Sequence, residues 1–93
     1  MIVRWSDTAI ANLEQFRDYI ADRNAEAAQI AAQRITAAVA SLKRFPNMGR
    51  IGRMPDTREF VVPGSPFVIP YRITEDGVIV LAVLRAEQNW PPV

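Results

Sequence analysis

Five cations and one anion fall within residues 43–58, Lys43-Arg44-Phe45-Pro46-Asn47-Met48-Gly49-Arg50-Ile51-Gly52-Arg53-Met54-Pro55-Asp56-Thr57-Arg58, of a chain whose net charge is only +1. Arg50, Arg53 and Arg58 are the centre of this patch. A planar guanidinium grips phosphate or carboxylate bidentately, so the patch offers contact with an anionic target, either nucleic acid or an acidic protein surface. The plainer reading is a solvated loop whose charges keep the chain soluble. Two Pro and two Gly in the stretch argue against a regular element. An irregular basic connector between two patterned halves is the kind of surface a scaffold holds out for binding. Residues 6–26 carry a balance of −3, which makes the molecule electrically lopsided.

The rest of the chain offers little acid–base chemistry. There is no Cys and no His, which excludes disulfides, thiolates, Cys/His metal sites and any Ser–His or Cys–His nucleophile. No metal and no cofactor is expected. Glu59, Tyr71 and Glu87 are the remaining groups that could take or give a proton. Arg58 and Glu59 alternate on a strand, so one of them should face solvent, and a cross-strand pair there is worth only ~0.2–1 kcal/mol. Tyr71 reads as a half-buried packing residue. Arg72 on a sheet face needs a partner or a site; Glu59 and Glu75 are the nearest candidates. Arg85 marks where the last strand returns to solvent. Trp90 can stack but cannot titrate. Lys43, the only lysine, sits favourably at a helix C-terminus. Met48, Ile51 and Met54 either form an adaptable apolar binding surface or fold back to close the core.

These residues must be positioned by the following elements. Ile2–Trp5 is β-branched and aromatic and predicts a strand. Ser6 or Asp7 caps a helix over 7–22, with Ala9, Leu13, Phe16 and Ile20 on one face. Asn24 caps a second helix over 25–44, with Ala28, Ala31, Ile35, Ala38 and Leu42 repeating every three or four residues and Pro46 ending it. Eight Ala between 25 and 40 make it a slender helix of high propensity. Thr57–Val62, Pro66–Ile73 and Val78–Leu84 predict strands. Glu75-Asp76-Gly77 makes a hairpin turn, Pro70 implies a bulge or an unpaired position, and the last strand is apolar enough to be covered on both faces. Trp90 and the prolines after it cannot continue a strand, so the tail either docks or stays mobile. The order β-α-α-β-β-β predicts an α+β fold, an antiparallel sheet with an α-helical hairpin packed on one face.

Ninety-three residues predict a single domain, 1–93, burying only ~60–65% of its unfolded surface. No signal-peptide core is visible at the N-terminus. The longest apolar run, Val78–Leu84, is far too short to span a bilayer. A cytoplasmic protein without a membrane partner is expected.

In this order and spacing the pieces resemble the RelE/ParE superfamily of bacterial type II toxins over essentially the whole length. They are the opening strand, Trp5-Ser6, Ala9…Leu13…Tyr19-Ile20, Phe45-Pro46-Asn47-Met48-Gly49-Arg50, Thr57-Arg58-Glu59-Phe60-Val61-Val62, Pro66-Phe67-Val68-Ile69-Pro70-Tyr71-Arg72 and Val83-Leu84-Arg85…Trp90-Pro91. The ParE-like branch is the nearest. The resemblance implies a hetero-oligomer with a cognate antitoxin, ParD-like in this branch, whose N-terminal part binds operator DNA. The toxin itself would meet DNA only indirectly. The resemblance also implies one of two targets. ParE-like toxins are associated with DNA gyrase inhibition without hydrolytic chemistry; RelE-like toxins cleave mRNA on the ribosome. On the gyrase reading, Arg50, Arg53, Arg58, Arg85 and Trp90 contact the target, and Met48, Ile51 and Met54 meet the antitoxin. On the RNase reading, Arg50, Arg53, Arg72 and Arg85 are catalytic. Such RNases carry a Tyr or His near the C-terminus where this chain has Trp90, which places gyrase first. A third reading is a RelE/ParE-fold binding protein without toxicity.

Overall fold

Ser6 ends the first strand and starts the first helix. Its backbone is extended, and its Oγ accepts from the Ala9 N–H at 3.0 Å, satisfying one of the orphan donors of the first turn. In the computed structural model, which describes residues 1–91, β1 spans Ile2–Trp5 and α1 spans Asp7–Ala21. Asn24 caps α2, Ala25–Arg44, in the same way, through the Ala27 N–H. The expected apolar faces are the buried ones. Ala9, Leu13, Phe16 and Ile20 of α1 and Ala31, Ile35 and Ala38 of α2 join one core cluster with the sheet. Leu42 packs farther along with Tyr71 and Val78. Each fully buried Leu or Ile contributes on the order of 1.5–3 kcal/mol.

The sheet comprises β1, β2 (Arg50–Ile51), β3 (Arg58–Val61), β4 (Phe67–Thr74), β5 (Gly77–Val80) and β6 (Leu84–Arg85), in the order β1-β5-β4-β3-β2, with β6 also on β4. Partners in register share a face. Phe60, Phe67, Ile69, Tyr71, Val78 and Val80 therefore face the helices, with Val3 and Trp5. Arg4, Arg50, Glu59, Val68, Pro70, Arg72 and Ile79 lie on the opposite face. The α+β class and the helical hairpin on one face are as expected.

Three details differ from the sequence reading. The sheet is antiparallel except at one edge, where β1 runs parallel to β5. The basic connector is partly regular: Lys43 and Arg44 end α2, and Arg50–Ile51 forms β2 against β3. The expected strand Val78–Leu84 is two strands, because β5 stops at Val80 and the chain arches before β6. Pro70 explains the stop. Its carbonyl accepts from the Leu81 N–H at 2.9 Å, and it has no N–H to offer on that same edge, where β5 would otherwise continue. Trp90 docks against the fold and is half-buried; Pro92 and Val93, the end of the expected tail, lie outside the described residues.

Gly77 makes the parallel edge possible. A Cβ there would lie 1.7 Å from the Ile2 carbonyl oxygen, so β1 can seat only against glycine. Gly77→Ala should unseat β1, costing about 2–3 kcal/mol and lowering Tm by roughly 10–20 °C at ~4–8 °C per kcal/mol. Thermal unfolding followed by circular dichroism checks this, and an unchanged midpoint would refute the steric account.

Candidate functional site

Two polar struts, one on each face of the sheet, fix the basic connector. On the helix side the strut is Tyr71 of β4, fully buried. Its hydroxyl donates to the Pro46 carbonyl at 2.6 Å and accepts from the Gly49 N–H at 2.8 Å. Gly49 must be small because a Cβ there would lie 2.6 Å from the Tyr71 ring. Arg58 Nη1 closes the same corner by donating to the Gly49 carbonyl at 2.8 Å and the Asn47 carbonyl at 3.3 Å. Burial pushes the Tyr71 phenol up from its ordinary pKa, against weaker opposition from the Gly49 N–H and Arg58. The phenol is therefore a protonated structural donor.

On the open face the strut is Glu59. Its side chain is only 1% exposed. Glu59 Oε2 accepts from the Arg53 N–H at 2.7 Å, and both carboxylate oxygens accept from Arg53 Nε at 3.1 Å. Arg50 Nη2 lies 3.5 Å away. Burial alone would raise the Glu59 pKa, but the Arg53 side-chain and backbone hydrogen bonds and both guanidinium charges outweigh it and hold the carboxyl below its ordinary value. Arg53 reaches further: Nη1 donates to the Gln88 carbonyl at 2.8 Å. One buried carboxylate thus ties the connector to the C-terminal tail.

These contacts redistribute the candidate residues. Arg53 and Arg58 are committed to internal partners, and Arg58 binds carbonyls instead of pairing across strands. Neither Arg58 nor Glu59 is the solvent-facing member expected of that pair. Arg50 is paired at its tip but its side chain remains 60% exposed. Arg85 pairs with Glu87 at 2.7 Å and, by its register opposite Phe67, lies on the helix side, where it borders a cleft with Phe16 and Tyr19. The set Arg50, Arg53, Arg72 and Arg85 is therefore split between the two faces. Among the described residues Arg72 pairs with neither Glu59 nor Glu75. It is exposed on the open face beside Trp90 and Met54. Met48 instead lines a cleft beside α2 with Phe60 and Val62, and Ile51 is 78% exposed on β2. The three apolar connector residues do not form one surface. Among the described residues no group of three or more His, Cys, Asp or Glu is placed to hold a metal ion. No helix among them is long and apolar enough to cross a membrane.

With this geometry in hand, comparison with known proteins is decisive for the family. The model of the ParE toxin of the type II toxin–antitoxin system parDE matches residues 3–90. The candidate toxin Y4kP of Sinorhizobium fredii is 41% identical over 91 residues, covering 98% of this chain and 94% of that protein. Toxin RelE2 of Caulobacter vibrioides is 36% identical over 83 residues, covering 89% of this chain and 91% of that protein. A solved chain of the chromosomal ParDE toxin–antitoxin system from P. aeruginosa matches with a TM-score of 0.84 at 27% identity, covering 94% of this chain and 97% of that one. Helical hairpin, sheet and connector are those of a RelE/ParE superfamily toxin. Within that superfamily the chain belongs to the ParE toxin family of type II toxin–antitoxin systems, and an antitoxin is its partner.

The Glu59 strut sets a pH dependence. Its folded pKa lies below the ordinary 4.5, so its contribution is fully present above about that pH and is lost as pH falls through the folded value. Asp76, held at about 2 by Arg4 and Thr74, acts in the same direction. Melting temperature should therefore fall as pH drops below about 4.5, and Glu59→Gln should flatten part of that slope. At neutral pH Glu59→Ala should cost about 2–3 kcal/mol, because it strands the Arg53 guanidinium and N–H. Thermal scans between pH 2.5 and 7 check both, and a Glu59→Gln profile parallel to wild type would contradict the role given to this carboxylate. Tyr71→Phe should cost about 1–3 kcal/mol by leaving the Gly49 N–H and Pro46 carbonyl unpaired, and an unchanged urea midpoint would oppose it.

Proposed function

We propose that this toxin acts by binding DNA gyrase without bond-breaking chemistry, and that a ParD-like antitoxin neutralises it in a cytoplasmic hetero-oligomer that meets operator DNA only through the antitoxin. One observation carries the non-enzymatic reading. The three groups the sequence singled out for moving a proton are engaged elsewhere: Tyr71 in the connector corner, Glu59 under Arg53, and Glu87 with Arg85. An RNase that activates a 2′-hydroxyl needs a proton acceptor at the site, and the sheet-borne and terminal arginines that would stabilise its transition state lie on opposite faces. Membership of the ParE family supports the same target. Met48 and Ile51, exposed by 42% and 78% respectively, are the connector residues suited to a lasting apolar contact with the antitoxin.

Pulse-labelling in the minutes after inducing this chain alone in bacteria tests the proposal. Thymidine incorporation should stop before methionine incorporation, and purified chain should block gyrase supercoiling. Arrest of methionine incorporation first would overturn the gyrase reading in favour of an mRNA endonuclease.

A further inference from the structure

The open sheet face holds a cleft of about 480 Å³, bordered by Thr8 of α1, Met54 of the connector, Arg72 of β4, Leu81, Trp90 and Pro91. Two nitrogen donors here have no acceptor among the described residues. The first is Arg72. The other arginines of the sheet strands and of the connector beyond α2 are engaged: Arg4 with Asp76, Arg50 and Arg53 with Glu59, Arg58 with two carbonyls, and Arg85 with Glu87. Among the described residues Arg72 has no ion-pair partner. The second is the indole of Trp90, whose Nε1 is buried without an acceptor among the described residues. Buried donors left without a partner are uncommon in folded proteins and ask for an explanation.

We infer that the cleft formed by Arg72 and Trp90 anchors an acidic side chain of the toxin's protein target. The exposed Arg72 guanidinium can take a carboxylate bidentately, while Trp90, whose Nε1 is out of reach of solvent, contributes its ring as a wall of the cleft. The remaining walls, Met54, Leu81 and Pro91, suit apolar residues flanking that acid. Arg and Trp are also the residue types that carry most energy at protein interfaces. A nucleic-acid strand fits less well. Tracking a phosphate backbone takes several available cations, and here Arg53 and the tip of Arg50 are both drawn onto Glu59. The contact belongs to the target and not to the antitoxin because lasting interfaces are the more apolar ones. Met48 and Ile51, exposed apolar residues of the connector, lie outside this cleft.

The inference rests on the reading of the chain as a toxin that works by binding a protein. Arg72→Glu, Arg72→Lys and Trp90→Phe test it, with growth arrest on induction, inhibition of gyrase supercoiling, and affinity for the antitoxin as three separate readouts. Arg72 is exposed and unpaired, so its variants should melt at the wild-type temperature. Arg72→Glu should lose at least about tenfold in arrest potency, with antitoxin affinity changed by less than about threefold. Arg72→Lys should retain part of the potency, and Trp90→Phe, which keeps an aromatic wall beside the guanidinium, should stay within about threefold of wild type. Wild-type potency in Arg72→Glu would overturn the inference. A parallel loss of antitoxin affinity would do so too, by assigning the cleft to the antitoxin. Single-stranded RNA bound by wild type and released by Arg72→Glu would also do so, by assigning it to a phosphate. If wild type arrests growth without touching gyrase, the gyrase proposal falls, and the cleft is still judged by the arrest potency of Arg72→Glu.

Discussion

A single buried carboxylate organises the working half of this molecule. Glu59 sits beneath the connector with its side chain out of water, and three of its four contacts come from Arg53: one from the backbone N–H and two from Nε. Burying a charge is unfavourable unless it is paired and hydrogen-bonded. Here the pairing also does positional work, because Arg53 passes the constraint on to the tail through Gln88. Tyr71 makes the equivalent link on the other face, where its hydroxyl bridges Pro46 and Gly49. A segment rich in Gly and Pro thereby becomes a defined surface although it contains only two residues of strand between α2 and β3.

The arginines therefore divide into those that build the site and those that remain available to a partner. Arg53, Arg58 and Arg85 build: each is satisfied by an internal acceptor. Arg50 does both, being paired yet largely exposed. Arg72 alone among the arginines of the sheet meets solvent without an acceptor among the described residues. The charge at the centre of the basic connector thus goes largely into holding its shape. What is left is a small number of donors and apolar side chains, an inventory suited to docking on a protein.

Local patterns made the helical half legible. Ser6 and Asn24 as caps, the three- and four-residue spacing of Ala9, Leu13, Phe16 and Ile20, and Pro46 as a stop all act within a few residues of where they are read. The hairpin at Asp76-Gly77 was legible for the same reason. The parallel seating of β1 was not, because it depends on Gly77 being bare where the Ile2 carbonyl passes, a contact across most of the chain. The split of the last strand was half visible: Pro70 announced a missing donor, but its partner, Leu81, is known only from register. The site was hardest to read. Its basic residues stand out by composition, yet their roles depend on Glu59, six residues from Arg53 and on a different strand from Arg72. Nothing in the local spacing distinguishes a carboxylate that captures two arginines from one that faces water.

Native-state hydrogen exchange on the free chain, comparing wild type with Glu59→Gln, tests most directly whether that carboxylate couples connector to tail. The Arg53 N–H bonds to Glu59, while those of Arg85 and Gln88 bond within the tail. If Glu59 is the coupling, protection at all three should fall together in the variant while the amides between β4 and β5 keep theirs. Loss at Arg53 with full protection at Arg85 and Gln88 would show that the tail is held independently, and the central claim would be wrong.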